Sequence, residues 1–280
     1  MPDLGIQPQA VTDADATVHL VYFKGDPSGG DLYYVRSIDG STFSSPIRVN
    51  SFPGSAVAVG NIRGARLAIG QAGRVYVTWN GSQKAAEASG GRAPMLFTRL
   101  NATGTTFEPE RNLIHTAYGI DGGGGIAADH SGRVYVFWHA SPPGKEGEQS
   151  RVVWVTRSQD DGNTFEPERA AWKEATGVCG CCSLNTFADS RGEVYVLFRS
   201  ALETVHRDMY LLISKDHGTT FSGSDISKWN VGYCVMSSEA FAISSKHIFG
   251  AWETEKQIRF GAIENGGSNV SEVAVSCGKE

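Results

Sequence analysis

Gly132-Arg133-Val134-Tyr135-Val136-Phe137-Trp138 is the stretch that decides the fold, because it recurs. Gly73-Arg74-Val75-Tyr76-Val77-Thr78-Trp79 and Gly192-Glu193-Val194-Tyr195-Val196-Leu197-Phe198 align with it without a gap. Thr17-Val18-His19-Leu20-Val21-Tyr22 and His247-Ile248-Phe249-Gly250-Ala251-Trp252 are weaker copies. Each is a β-branched and aromatic run opened by a turn residue and long enough for one strand. Repetition at intervals of about 40–50 residues or somewhat more marks blades or solenoid units.

A second motif follows these strands. Ser158-Gln159-Asp160-Asp161-Gly162-Asn163-Thr164-Phe165 and Ser214-Lys215-Asp216-His217-Gly218-Thr219-Thr220-Phe221 fit Ser-x-Asp-x-Gly-x-Thr-Phe, and Ser37 to Phe43 is the same motif one residue short. Leu100 to Phe107 keeps Gly104, Thr106 and Phe107 without the serine and aspartate, and Asn265-Gly266-Gly267 is a faint fifth copy. The motif reads as a tight turn: the Asp caps backbone N–H groups, Gly takes a positive φ, and the aromatic plugs inward. Asp39, Asp160 and Asp216 are therefore expected to be structural.

This motif resembles the Asp-box, or BNR repeat, of the sialidase superfamily. The resemblance implies an all-β fold, a β-propeller of four-stranded blades in one domain over residues 1–280. Five blades are visible, at roughly 9–50, 60–115, 120–172, 177–230 and 233–276. Sialidases have six, so a sixth is expected to be missing from this chain or rudimentary. Gly81 to Gly91 and Ser141 to Glu148 are polar insertions that read as mobile loops, and helix signal is almost absent.

Composition narrows the function classes. The 280 residues are 40% apolar, ample for a core. A net charge of −5 and a pI near 5.8 argue against a nucleic-acid surface, and no apolar run is long enough for a membrane span. Met1-Pro2-Asp3 carries no targeting signal, so the protein is cytosolic or a targeting segment has been removed. Five cysteines leave at least one thiol free, metal-bound or paired between chains.

In the propeller that the resemblance implies, two sets of residues ring one mouth of the central channel. Asn80, His139, Arg199 and Glu253 directly follow the repeated strand, and all are polar. Arg63, Asp121 and Cys179-Gly180-Cys181-Cys182 precede the inner strands, and Cys234 falls within one place of the same register in the next blade. The thiol of Cys181 or Cys182 and that of Cys234 are expected at the same height. Three readings stay open: a disulfide from Cys234 to one of the three, a copper or zinc site of Cys179, Cys181, Cys182 and Cys234 with His139 as a nitrogen ligand, or inert buried thiols. Cys277 lies beyond the last turn motif.

Sialidases clamp a sugar carboxylate with three arginines, and use a Tyr nucleophile tuned by a Glu and an Asp acid/base. The Phe/Tyr-Arg-Ile-Pro segment that usually holds the first arginine is missing here. Arg63, Arg199 and Arg207 are the candidates for a cationic pocket, Tyr233 near Glu239 for the nucleophile pair, and Asp121 and Glu253 for rim carboxylates. A closer resemblance is to bacterial sialidase-like propellers with a Cys-x-Cys-Cys segment, then Phe-Arg-Ser-Ala, Arg-Asp-Met-Tyr and Trp…Cys-Pro-Met-Ser. Here these are Cys179 to Cys182, Phe198 to Ala201, Arg207 to Tyr210, and Trp229 followed by Cys234 to Ser237, with Val235 in place of the proline. Members of that group look exported, which implies a secreted or periplasmic protein. The expected function is a metal-binding, sialidase-like propeller; the alternative is an exo-glycosidase or glycan-binding propeller. The expected partner is a small molecule or glycan, and the expected state a monomer.

Overall fold

The computed structural model describes residues 2–60, 64–244 and 247–264, and the backbone of 269–275. Arg63, Asn265-Gly266-Gly267 and Cys277 lie outside the described residues. The chain forms five four-stranded antiparallel sheets, each a meander. The first holds β1 (Ile6–Thr12), β2 (Val18–Lys24), β3 (Asp31–Ser37) and β4 (Ile47–Arg48); the second β5 (Arg66–Ile69), β6 (Val75–Asn80), β7 (Met95–Arg99) and β8 (Arg111–Asn112). The third holds β9 (Gly125–Ala128), β10 (Val134–Ala140), β11 (Val152–Ser158) and β12 (Arg169–Ala170). The fourth holds β13 (Leu184–Ala188), β14 (Val194–Arg199), β15 (Met209–Ser214) and β16 (Ser222–Ser227); the fifth β17 (Ala240–Ile243), β18 (Ile248–Thr254), β19 (Gln257–Glu264) and β20 (Asn269–Val275).

The repeated sequence run is the second strand of every blade, and it is mostly apolar because in the second to fourth blades sheets cover it on both faces. All six residues of β6 and all seven of β10 are buried. Successive inner strands touch, β1 to β5 to β9 to β13 to β17, and buried clusters fill the four interfaces between consecutive blades. Among the described residues, no such cluster joins the fifth blade to the first. On the fifth blade Ile243, Ile258 and Phe260 remain exposed.

The aspartate turns lock the blades edge to edge. Asp160 Oδ1 accepts from Thr164 N at 2.8 Å and Asp216 Oδ1 from Thr220 N at 2.8 Å, while Asp39 Oδ1 accepts from Ser41 N and Thr42 N at 2.9 and 2.7 Å. The N–H groups of Thr164 and Thr220 hold the Asp160 and Asp216 carboxyls near about 2; for Asp216, burial works against them. Gly40, Gly162 and Gly218 take φ of 72°, 75° and 73°, the left-handed region that glycine enters without cost from a Cβ. The aromatic plugs into the preceding blade: Phe107 meets Tyr34, Phe165 meets Phe97 and Phe221 meets Phe137, all edge-on. In the degraded second copy, Asn101 Oδ1 takes over the cap, accepting from Thr105 N at 3.0 Å.

A further repeat, Phe-Glu-Pro-Glu-Arg at 107–111 and 165–169, staples neighbours. Glu110 accepts from Ser51 N and Phe52 N of the preceding linker, as Glu168 does from His115 N, Thr116 N and Ala117 N. Arg111 and Arg169 donate to turn carbonyls of the following blade, at Gly162 and Gly218. The two insertions differ from the sequence expectation of free loops. Gln83–Ala88 forms the short helix α1, N-capped by Ser82, with Ala85 and Ala86 buried, and Glu148 is anchored by three contacts described below.

Candidate functional site

Strand pairing brings the two sets of rim residues to one face. Leu184 of β13 pairs with Phe198 of β14, so the segment entering β13 stands beside Arg199. Gly125 pairs with Phe137, Arg66 with Thr78 and Ala240 with Ala251, which places the approaches to β9, β5 and β17 beside His139, Asn80 and Glu253 in the same way.

Cys179, Cys181 and Cys182 converge there. Their sulfurs all lie within 4.8 Å of one another, and Cys179 Sγ is 3.2 Å from Cys181 Sγ. Cys179 and Cys182 are free thiols, each buried to about 1% exposure. Cys181 is in a disulfide with Cys234, which crosses from the fourth blade to the exposed approach of the fifth. Thus Cys234 joins the cluster through its bond to Cys181, and His139 is not a member of it. His139 is fully buried, its ring so close to Gly122 that a Cβ there would stand 2.2 Å from Nε2 and 2.9 Å from the Gly180 carbonyl.

Charge around the sulfurs is arranged in layers. The Cys182 thiol donates to Cys179, which lowers Cys179 to about 7 against the effect of burial, with Arg207 adding its positive charge. The same contact, with burial, drives Cys182 far up, so the pair shares one negative charge. Arg207 donates to Glu148 Oε2 at 2.8 Å, and Glu148 Oε1 accepts from Gly180 N at 3.0 Å. Burial pushes Glu148 up, but Gly180 N–H and Arg207 outweigh it and hold the carboxyl below its usual range. Arg151 lies 3.6 Å from Glu148 and donates to Asp121 Oδ2 at 2.6 Å. The insertion 141–151 is therefore the outer wall of the cysteine loop. Sequence reading assigned no role to Glu148 or Arg151; the only signal was a charged residue closing a polar insertion.

The candidate arginines are already occupied. Arg199 is fully buried, donates to the carbonyls of Arg207 (2.6 Å) and Glu253, and lies 5.1 Å over the Trp229 ring. Arg207 is bound to Glu148. Asp121 is half exposed on Arg151, and Glu253 contributes its backbone carbonyl to Arg199. Tyr233 is 51% exposed and lines a shallow cleft with Lys228, Trp229, Asn230, Glu255 and Lys256. Asn80 donates to the Gly122 carbonyl at 2.6 Å.

Glu239, just before β17, is the residue whose chemistry the sequence understated. It is 4% exposed, its Oε1 accepts from Ser183 Oγ at 3.0 Å, and its Oε2 has no hydrogen-bond partner among the described residues. Burial raises its carboxyl to about 8, and the Ser183 hydroxyl and the charges of Arg199 and Arg66 only partly oppose the rise. Burial thus favours its protonated form.

No family model matches the chain, and no curated protein sequence matches it. Solved structures do. The NanB sialidase from Streptococcus pneumoniae superposes with a TM-score of 0.60 at 11% identity, over 98% of this chain and 62% of that one. Trypanosoma rangeli sialidase gives 0.62 at 12%, over 98% and 49%, and Penicillium chrysogenum α-L-arabinanase 0.61 at 11%, over 98% and 82%. The chain thus spans less than two thirds of the two sialidase chains. Identity this low speaks for fold, and the fold it defines is a five-bladed β-propeller of the sialidase type. This propeller carries a cysteine cluster at the face where its inner strands begin. No helix among the described residues is long and apolar enough to cross a membrane.

Proposed function

We propose that this is an exported propeller whose cysteine cluster, once reduced, holds a soft metal ion. The observation that carries the reading is the convergence of the Cys179, Cys181 and Cys182 sulfurs within 4.8 Å. Three clustered thiolates suit Cu(I), whereas structural Zn(II) takes four donors and needs Cys234 as the fourth. The donor set fits the group: two sulfurs are buried away from water, and Arg199 and Arg207 set positive charge against the thiolates. Bound copper supplies one-electron chemistry or is held for transfer. The residues of the chain supply the rest. Gly180 and Glu148 fix the loop, Arg207 offsets charge at Cys179, and the packed strands exclude solvent. Cys181 belongs to both the cluster and the disulfide, so loading requires reduction of Cys181–Cys234. That disulfide also favours a secreted or periplasmic location.

The test is anaerobic titration of reduced protein with Cu(I) against a competing chelator. One equivalent retained through desalting, with a sulfur-to-copper absorption band that Cys182→Ser weakens, is the expected result; retention of neither copper nor zinc overturns the reading.

A second reading, carbohydrate processing, is favoured by Glu239, because a carboxyl kept protonated at neutral pH is the state a general acid needs. It ranks second because Arg199 and Arg207 are already engaged by backbone carbonyls and Glu148. Release of a fluorescent phenol from a sialoside or arabinoside, lost in Glu239→Gln, would promote it.

A further inference from the structure

The Cys181–Cys234 disulfide has a third sulfur behind it. Cys179 Sγ stands 3.2 Å from Cys181 Sγ, on the buried side, while Cys234 is exposed. An exposed sulfur, a bridging sulfur and a buried thiol in contact with the bridge are the parts that thiol–disulfide exchange requires, since exchange proceeds by attack of a thiolate on one disulfide sulfur and departure of the other. The backbone suits it. Only Gly180 separates Cys179 from Cys181, and it leaves room for the tips of Arg151 and Asp121, since a Cβ there would stand 2.1 Å from Arg151 Nη1 and 2.6 Å from Asp121 Oδ2.

We propose that Cys179, Cys181 and Cys234 form an intramolecular disulfide shuttle that presents or withdraws a reactive Cys234 thiol at the surface, where it meets small external disulfides. In the forward step the Cys179 thiolate attacks Cys181 Sγ. The Cys179–Cys181 bond forms, the Cys181–Cys234 bond breaks, and the electron pair leaves on Cys234 Sγ, which stands as a thiolate at the surface in place of the Cys179 thiolate. One disulfide exists before and after, so no oxidant or reductant enters. The freed Cys234 thiolate then attacks an external disulfide RSSR, forming Cys234–SR and releasing RS⁻. The shuttle runs in the oxidised, metal-free protein, so it is independent of the metal reading, which needs Cys181 reduced.

The experiment uses the full chain, stripped of metal with a chelator and given no reductant. It is incubated with a maleimide or with glutathione disulfide at mildly alkaline pH, acid-quenched, and mapped peptide by peptide so that Cys277 does not interfere. Cys234 is expected to label in the native protein, and a Cys179–Cys181 peptide is expected alongside Cys181–Cys234. Cys179→Ser is expected to slow Cys234 labelling at least tenfold. Cys234 labelling as slow in the native protein as in Cys179→Ser, or failure to trap a Cys179–Cys181 pair, overturns the shuttle. The native-protein map serves even if the variant does not fold, and neither outcome bears on copper retention by reduced protein.

Discussion

Replacing Glu239 with glutamine should change the pH dependence of stability in a calculable way. Burial holds the folded carboxyl at about 8 against an ordinary glutamate value of 4.5. Between these values the folded state binds a proton that the unfolded chain has released, so stability falls as pH rises. The contribution is complete below about 4.5, is lost progressively up to about 8, and changes no further above it. A displacement of about 3.5 pH units corresponds to about 5 kcal/mol at most, with a slope near 1.4 kcal/mol per unit. Glutamine cannot ionise, so the slope contributed by this site disappears. Its amide oxygen can keep the Ser183 hydroxyl bond, but the amide NH₂ inherits the position of the unpartnered Oε2 and costs about 1–3 kcal/mol. Glu239→Gln should therefore be equal to or less stable than the native protein at pH 5, and more stable by about 2–4 kcal/mol at pH 9. Denaturant unfolding of both proteins at each unit from pH 5 to 9 measures this; titrating groups that do not interact with Glu239 cancel in the difference, whereas Cys179, whose charge raises Glu239, contributes a coupled part. A native-minus-variant difference that stays constant with pH refutes the assignment of a buried, neutral Glu239.

Arg199→Met keeps the stem but removes the donors to two carbonyls, Arg207 and Glu253, on either side of the blade 4–5 interface, and should cost about 2–5 kcal/mol in the same assay. A cost under about 1 kcal/mol would mean that these bonds do not hold the interface. Glu168 is the opposite pH case from Glu239: burial works against it, but the Thr116, Ala117 and His115 N–H groups bring its carboxyl down to about 2. Its stabilising effect is full above the ordinary value of 4.5 and is lost as pH falls toward about 2, so Glu168→Gln should be destabilised at pH 7 and converge with the native protein in acid.

The scaffold is legible in the chain because a propeller repeats its chemistry. A strand packed on both faces needs an unbroken apolar run, and Val75-Tyr76-Val77, Val134-Tyr135-Val136 and Val194-Tyr195-Val196 declare the same position three times. One run was misread where tertiary context overrode local character. Gln83–Ala88 looks like a polar loop, yet Ser82 caps a helical turn and two alanines find a surface to cover. The second-blade turn lacks its aspartate, yet Asn101, one position earlier, reaches the same backbone donors. Glu110 and Glu168 escaped notice because carboxylates in a Phe-Glu-Pro-Glu-Arg run look solvated. Their partners are linker N–H groups about fifty positions away, which no local pattern reveals.

The cysteine cluster marks where such reading stops. Strand register alone puts Cys179 to Cys182 and Cys234 at one height on adjacent blades, but disulfide, metal ligand and inert thiol are separated by an ångström or two of sulfur position. That last distance is set by residues with no sequence mark. Gly122 leaves room for both the His139 ring and the Gly180 carbonyl, Glu148 reaches in from an insertion to hold Gly180 N, and Arg207 ties Glu148 back to the blade that carries the loop. These contacts hold three sulfurs in a group while leaving the fourth outside in solvent. A purely structural disulfide needs only Cys181 and Cys234, and gains nothing from two further buried thiols and the two arginines that face them. The cost of keeping ionisable groups out of water there is the physical reason to look for chemistry at this loop.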